Sequence, residues 1–332
     1  MNPDDSVLPD GDILTVTLNP ALDLTAGLDE LVPGAVNRVA MAQSDPGGKG
    51  VNVAGFLAPW QVHLGQRQGH LGQVRLAATG FLGGDNAEPF RNMFRLNRID
   101  DRFLTVGGAT RTNIKIVERD GARITDLNFP GFSVSPEEEG RLEEAIGTLA
   151  ARYRWVLFCG SVPAGAAPGI YARLIARARA SGARVALDTS GPALVAALAA
   201  VPDVIKPNGE ELGEALGRSI TTLAEAAEAA REMRRRGVAE VMVSLGAEGA
   251  VFASGGEMVH AVGHAGRIRS TVGAGDALLS GYMLGLLRGL PLAGRARLAT
   301  GFSLGALSML GPHLPPVAQV ESLAASVAVV PL

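Results

Sequence analysis

Ser270-Thr-Val-Gly-Ala-Gly-Asp-Ala-Leu-Leu-Ser-Gly-Tyr282 sets two glycines and an acid at the mouth of a long apolar run that continues through Leu287. Such a run reads as a buried helix, and Gly273, Ala274 and Gly275 at its start have N–H groups with no intrahelical acceptor. Those groups point at one spot with the positive helix end behind them, which makes an anion hole. Asp276 falls in the first turn beside it. An acid there often does no more than cap its helix. A cap, however, needs no exposed Gly-x-Gly backbone, so Asp276 is the candidate catalytic residue and Gly273, Ala274 and Gly275 its anion-binding partners.

A second glycine-rich stretch, Gly47-Gly-Lys-Gly-Val-Asn-Val-Ala54, lies far upstream. A P-loop is excluded because Gln43 stands where its first Gly belongs and Gly50 follows the Lys. A dinucleotide fingerprint is excluded because Val53 occupies its third Gly position. What remains is flexible backbone entering a helix with a cation, Lys49, inside it. Such a run brings N–H groups close to a polar ligand.

Outward from these motifs, short Val-, Ile- and Leu-rich runs alternate with helical stretches. Asp12–Leu18, Arg75–Gly80, Trp155–Cys159, Arg184–Asp188, Asp203–Lys206 and Glu240–Leu245 read as buried strands of a mostly parallel sheet. Between them, helices are expected over Asn86–Leu96, Pro136–Ala150, Pro168–Ser181, Pro192–Ala200 and Leu223–Arg236. Pro136, Pro168 and Pro192 sit where a missing N–H costs a helix nothing. The alternation implies an α/β fold: a doubly wound, mostly parallel sheet flanked by helices. Val36–Gln43 and Arg111–Asn128 instead show period-two patterning, the second with a turn at Gly121, and read as antiparallel strands of a small β-lid over the main sheet. His63-Leu-Gly-Gln and His70-Leu-Gly-Gln repeat once, which is no solenoid and suggests a lengthened surface loop.

Composition narrows the function classes. The 332 residues are 47% hydrophobic and 19% charged, enough for a large core, as two domains or as one large α/β unit with an appendage. A net charge of −3 gives no reason to expect nucleic acid or an anionic membrane as partner. One cysteine excludes a disulfide framework, and Cys159 lies in an apolar run that reads as core. His260 and His264 are spaced i, i+4 in a stretch that does not read as helix, so no zinc pair is expected. The acidic Met1-Asn-Pro-Asp-Asp start lacks an apolar stretch of the secretory kind, and no run of about 18 apolar residues is present. A cytoplasmic protein is expected.

Together the two glycine motifs resemble those of the PfkB (ribokinase-like) carbohydrate kinases. The resemblance runs from Thr15-Val-Thr-Leu-Asn-Pro-Ala-Leu-Asp23 to the helix after Asp276. It includes Gly107-Gly-Ala-Thr-Arg-Thr-Asn113, Gly160-Ser-Val-Pro163, Leu187-Asp-Thr-Ser-Gly191, Lys206-Pro-Asn-Gly-Glu-Glu211 and Ser244-Leu-Gly246. It is nearest to the 1-phosphofructokinase and tagatose-6-phosphate kinase branch. The resemblance implies one ribokinase-like domain over residues 1–332, with lid strands at approximately 34–45 and 108–130. It also implies a homodimer joined through the lid, which would bury otherwise exposed strand edges.

The activity so implied is ATP-dependent phosphorylation of a hexose phosphate. Fructose 1-phosphate is the expected acceptor, with fructose 6-phosphate and tagatose 6-phosphate as alternatives; a catalytically silent sugar-phosphate binder is the reading from another class. Asp276 would take the proton from the attacking hydroxyl while the Gly273–Asp276 backbone holds the charge on the transferred group. By the same resemblance Asp23, Gly47, Gly48 and Asn52 would hold the sugar, and Arg111 its phosphate, with Lys49 a second candidate and Arg38 a third. Lys206, Asn208, Ser244, Gly246, Gly273 and Gly275 would line the nucleotide, and Asn208 with Glu211 would organise Mg²⁺ through water.

Only Lys49, Lys115 and Lys206 are lysines, against 27 arginines, and all three fall in or beside these motifs. Two departures stand out. Ser308-Met-Leu-Gly-Pro-His313 is apolar where many relatives carry a polar turn, which leaves nucleotide preference open. The Ala58–Leu76 stretch exceeds the usual helix-to-strand spacing.

Overall fold

A computed structural model describes residues 11–61, 75–118 and 123–332. The His63 and His70 repeat, the Gly121 turn and the N-terminal stretch lie outside these described residues. In chain order the strands are β1 (Gly11–Thr17), β2 (Ala21–Leu28), β3 (Met41–Gly47), β4 (Leu76–Gly83), β5 (Asp100–Asp101), β6 (Leu104–Val106), β7 (Arg111–Glu118), β8 (Arg123–Leu127), β9 (Tyr153–Cys159), β10 (Arg184–Asp188), β11 (Val204–Ile205), β12 (Glu240–Ser244), β13 (Ala250–Ser254), β14 (Glu257–Val262) and β15 (Ala328–Pro331). The helices are α1 (Lys49–Leu57), α2 (Glu88–Leu96), α3 (Pro136–Ala150), α4 (Ile170–Ala180), α5 (Gly191–Leu198), α6 (Gly209–Leu216), α7 (Leu223–Arg235), α8 (Ala274–Leu287), α9 (Leu292–Leu307) and α10 (Val317–Ser326).

The large sheet runs β15-β14-β13-β12-β11-β10-β9-β1-β4-β5, with β6 also paired to β4. From β5 to β12 every pairing is parallel, and β13 to β15 add antiparallel edge strands. Parallel strands buried on both faces need apolar residues at every position, and β9 buries all of its residues from Trp155 to Cys159. Two apolar cores result, one per face. Val51, Phe56, Phe90, Tyr282 and Phe302 belong to one, and Leu142, Ile146, Tyr171, Leu174 and Met233 to the other. Cys159 is a buried member of the first core, as its sequence context suggested.

Local chemistry fixes where the helices begin. Ser135 caps α3 and exchanges bonds with Glu138 in a capping box, with Pro136 at the first helical position. Thr222 and Glu225 do the same for α7, and Asn208 and Glu211 for α6. Among the described residues no helix is long and apolar enough to cross a membrane.

The small sheet has the order β3-β2-β7-β8, and β2 follows the carboxyl end of β1 after three residues. Here the structure corrects the sequence-based expectation twice. The strand expected from about residue 34 begins at Met41, because Pro33 and Gly34 interrupt the chain and Asn37 closes a turn on the backbone of Val32 and Ala35. Val36 and Val39 are accordingly solvent-exposed, without strand alternation. The sheet also contains β2, which the period-two patterning did not reveal, and β2 pairs parallel with β7.

Candidate active site

The site lies where the carboxyl ends of β1, β9, β10 and β11 meet the lid, the crevice in which open α/β sheets bind ligands. Gly273 takes φ +73, a left-handed conformation that favours glycine, and this turns the chain into α8. The Ala274 N–H bonds back to the Thr271 carbonyl at 3.4 Å, and the next such bond is from the Ala277 N–H to the Gly273 carbonyl at 2.7 Å. The N–H groups of Gly275 and Asp276 therefore remain for an anion.

Asp276 is buried, and Asn52 of α1 donates Nδ2–H to its Oδ2 at 2.7 Å. Burial, with the neighbouring Asp188 charge adding to it, pushes the Asp276 carboxyl up to about 6, against the opposing pull of Lys49, Asn52 and Lys206. Asp188, at the end of β10, is fully shielded and receives Lys49 Nζ at 2.9 Å and Lys206 Nζ at 3.3 Å. Burial alone would raise it; the two ammonium groups outweigh burial and hold its carboxyl below the usual range. Lys49 stays protonated for the complementary reason: Asp188, Asp276 and Glu211 overcome its own desolvation. Lys206 Nζ also lies 3.3 Å from the position a Cβ on Gly275 would take, so a buried cation backs the anion hole.

A second group gathers under the lid. Asp23 on β2 stands opposite Asn113 on β7, which donates Nδ2–H to its Oδ1 at 3.1 Å. A side chain at Gly47 would run into the Asp23 carboxylate. Burial raises the Asp23 carboxyl, against the pull of Asn113 and Arg111. The Arg111 guanidinium donates to three backbone carbonyls, those of Asn19 at 3.1 Å, Pro20 at 3.3 Å and Phe129 at 3.1 Å. It uses three of its five N–H groups this way, and no carboxylate among the described residues lies within ion-pair distance. Asn19 Oδ1 and Asn52 Oδ1 are buried acceptors with no donor, the chemistry that sugar hydroxyls complement.

Several expected residues fall elsewhere. Arg38 is exposed in the irregular stretch before β3, and the site-facing Gly47 lies at the other end of that strand, roughly 20 Å away at about 3.3 Å per residue. It does not reach the site of its own chain. Lys49 keeps company with Asp188 and Asp276, not with Arg111. Asn208 Oδ1 accepts from the Glu211 N–H at 2.7 Å and Glu211 Oε2 from the Asn208 N–H at 2.9 Å, so both are committed first to capping α6. Glu211 Oε1, 3.9 Å from Lys49 Nζ, is the oxygen left to meet a hydrated cation. Among the described residues no cluster of three or more His, Cys, Asp or Glu is placed to hold a metal directly. Ser244 adjoins Asn208 through a backbone bridge, and Gly246 has open space beside it. Lys115 is paired with Asp126 across β7 and β8.

Asp188 and Asn113 fall within sequence motifs, yet nothing local in the chain singles them out as functional. Their partners are set by tertiary structure: Asp188 meets lysines 139 residues upstream and 18 residues downstream.

The profile of the pfkB family of carbohydrate kinases matches residues 16–312. The chain belongs to that family. As a pfkB-family carbohydrate kinase it uses ATP. It is 49% identical over 318 residues to 1-phosphofructokinase of Rhodobacter capsulatus, covering 96% of this chain and 97% of the relative. It is 35% identical over 315 residues to 1-phosphofructokinase of Escherichia coli K12, covering 95% and 97%. Among solved structures, Escherichia coli phosphofructokinase-2 in complex with fructose-6-phosphate superposes with a TM-score of 0.83 at 25% identity, over 95% of this chain and 98% of that one. A possible 1-phosphofructokinase from Thermotoga maritima gives the same TM-score and identity over 96% and 99%. The pfkB-family fold thus accounts for both the large sheet and the lid.

Proposed function

We propose that the chain transfers the γ-phosphate of ATP to fructose 1-phosphate, making fructose 1,6-bisphosphate. The observation that carries this reading is the buried Asp276 at the start of α8, held by Asn52 next to open N–H groups. With its carboxyl near 6, Asp276 is ionised at neutral pH yet basic enough to take a proton from an attacking hydroxyl. The Gly273–Asp276 backbone, backed by Lys206, stabilises charge on the transferred group, while Lys49 faces the same region from α1. Asp23, Asn113, Asn19 and Asn52 orient the sugar, and the two spare N–H groups of Arg111 suit its phosphate. Mg²⁺ supplies further charge neutralisation when bound with the nucleotide. Glu211 would hold it through water, in keeping with magnesium's retained hydration shell. The lid and the large sheet act as one catalytic unit.

Curated relatives carrying the 1-phosphofructokinase name at 35–49% identity support fructose 1-phosphate as acceptor. Fructose 6-phosphate is the competitor, since a structural neighbour holds it. ADP release with ATP-Mg²⁺ against fructose 1-phosphate, fructose 6-phosphate, tagatose 6-phosphate and free fructose decides between them. The highest kcat/KM is expected with fructose 1-phosphate; no turnover on any of the four would favour a silent sugar-phosphate binder.

We also propose a homodimer through the lid, whose surface exposes Val32, Val36, Val39, Met41, Leu127 and Phe129. Light scattering at micromolar concentration should give twice the 34.2 kDa chain mass.

A further inference from the structure

Three side chains meet between the lid and the loop that follows α9. His313 Nε2 lies 3.1 Å from Asp45 Oδ1, and Gln43 Nε2 donates to Asp45 Oδ2 at 2.9 Å and lies 3.1 Å from His313 Nε2. Gln43 and Asp45 are alternate residues of β3 and share one face. Asp45 is buried while His313 is half-exposed, so the contact is sheltered on the lid side. The approach is close: a Cβ on Gly311 would come 2.7 Å from Asp45 Oδ2. On its other side the same loop touches the anion hole, with Pro312 Cα 3.6 Å from where a Cβ on Gly273 would lie. Asp45 in turn stands directly across β2–β3 from Asp23.

One short stretch, Gly311–His313, therefore leans on the residue that opens the anion hole and grips the strand next to the sugar-binding acid. We propose that His313 is a positioning residue, which latches β3 through Asp45 and so holds Asp23 over the sugar. The proposal rests on the sugar-kinase reading above. The Nε2–H of His313 donates to the Asp45 carboxylate across the lid boundary, and Gln43 orients that carboxylate. Unlatching lets β3 lift from the loop and carries Asp23 away from the acceptor, while the N–H groups of Gly275 and Asp276 stay in place. Sugar binding is the step that suffers, and nucleotide binding is spared.

The test compares His313→Ala, Asp45→Ala, the double variant and His313→Gln with the parent chain. Each single alanine variant should raise the sugar-phosphate KM about tenfold, the scale of losing one charge-assisted hydrogen bond, with the ATP KM within twofold. The double variant should be no worse than either single, because both remove one contact. His313→Gln, which keeps a donor, should recover most of the loss. Amide exchange across residues 41–47 should quicken at least fivefold in His313→Ala with no sugar present. Multiplicative effects in the double variant, or exchange unchanged within twofold, would overturn the latch. A parent chain that turns over none of the sugar phosphates would instead remove the kinase reading, and the exchange measurement would still decide whether His313 holds β3.

Discussion

Asn52 Nδ2 sits 2.7 Å from Asp276 Oδ2, so two glycine-rich motifs 224 residues apart in the chain meet at one hydrogen bond. The bond fixes one carboxylate oxygen and leaves the other for the acceptor hydroxyl of the proposed mechanism. It also opposes the burial that raises the Asp276 carboxyl. Orientation and basicity of the base are thereby set by the same neighbour.

Replacing Asp276 by Asn keeps the shape and removes the base. Turnover is expected to fall by about 10³-fold, within the range for general-base loss, with ATP and sugar-phosphate affinities within threefold of the parent. Steady-state kinetics and calorimetry check this; turnover within tenfold of the parent discards the base assignment. The same variant should be more stable at neutral pH. Because the folded carboxyl sits above its unfolded value, its favourable contribution is complete below about 4 and is lost as pH rises through about 6. At pH 8 the charged form burdens the fold, on the order of 1–3 kcal/mol for a carboxyl held near 6. Asp276→Asn should therefore melt above the parent at pH 8, with the gap closing toward pH 4.

The acid limb of the pH–rate profile follows from the same carboxyl. Activity should rise with pH through about 6, as the base deprotonates. Asn52→Ala deletes a bond that favours the charged form, so the limb should move upward. A downward move on removing Asn52 would contradict the geometry.

Arg111→Ala should raise the sugar-phosphate KM by at least tenfold and leave the ATP KM within twofold. Initial-rate kinetics with each substrate varied in turn make the comparison. Equal effects on both would show Arg111 to be a brace for the Asn19, Pro20 and Phe129 carbonyls and nothing more.

Lys206→Met tests the buried pair beneath the anion hole. Asp188 is fully shielded and would keep only Lys49, so stability at pH 7 should drop by about 3 kcal/mol. The Asp188 carboxyl is depressed in the fold, so the pair stabilises above the unfolded carboxyl value and the benefit is lost as pH falls through the folded one. Denaturant curves should accordingly show a larger parent-to-variant gap at pH 7 than at about pH 2, below the unfolded carboxyl value. An equal gap at both would mean that packing, not charge, sets the loss.

Much of this architecture was legible in the chain. Pro136–Ala150 was delimited to the residue, because Ser135, Pro136 and Glu138 form a complete local start signal. The parallel strands were found because burial on both faces writes an unbroken apolar run. The lid was legible only in part. β2 contains Asp23 within Ala-Leu-Asp-Leu, and its role as a strand comes from pairing with β7 some 90 residues later, which no local pattern encodes. Val36–Gln43 alternates like a strand, yet Val36 and Val39 lie outside any ladder. Asp188 and His313 escaped notice for a different reason. Each takes its meaning from a partner more than a hundred residues away, Lys49 in one case and Asp45 in the other.

Arg111 begins β7, and the carbonyls it holds belong to the link between β1 and β2 and to the residue two places beyond β8. Three points at which the chain enters or leaves the lid are thus riveted by one side chain. In the proposed reading, the side chain that ties these points together would also clamp the acceptor's phosphate. Acceptor preference and the fastening of the lid would then rest on one residue: a change at Arg111 made to redirect the first also removes the ties to the Asn19, Pro20 and Phe129 carbonyls.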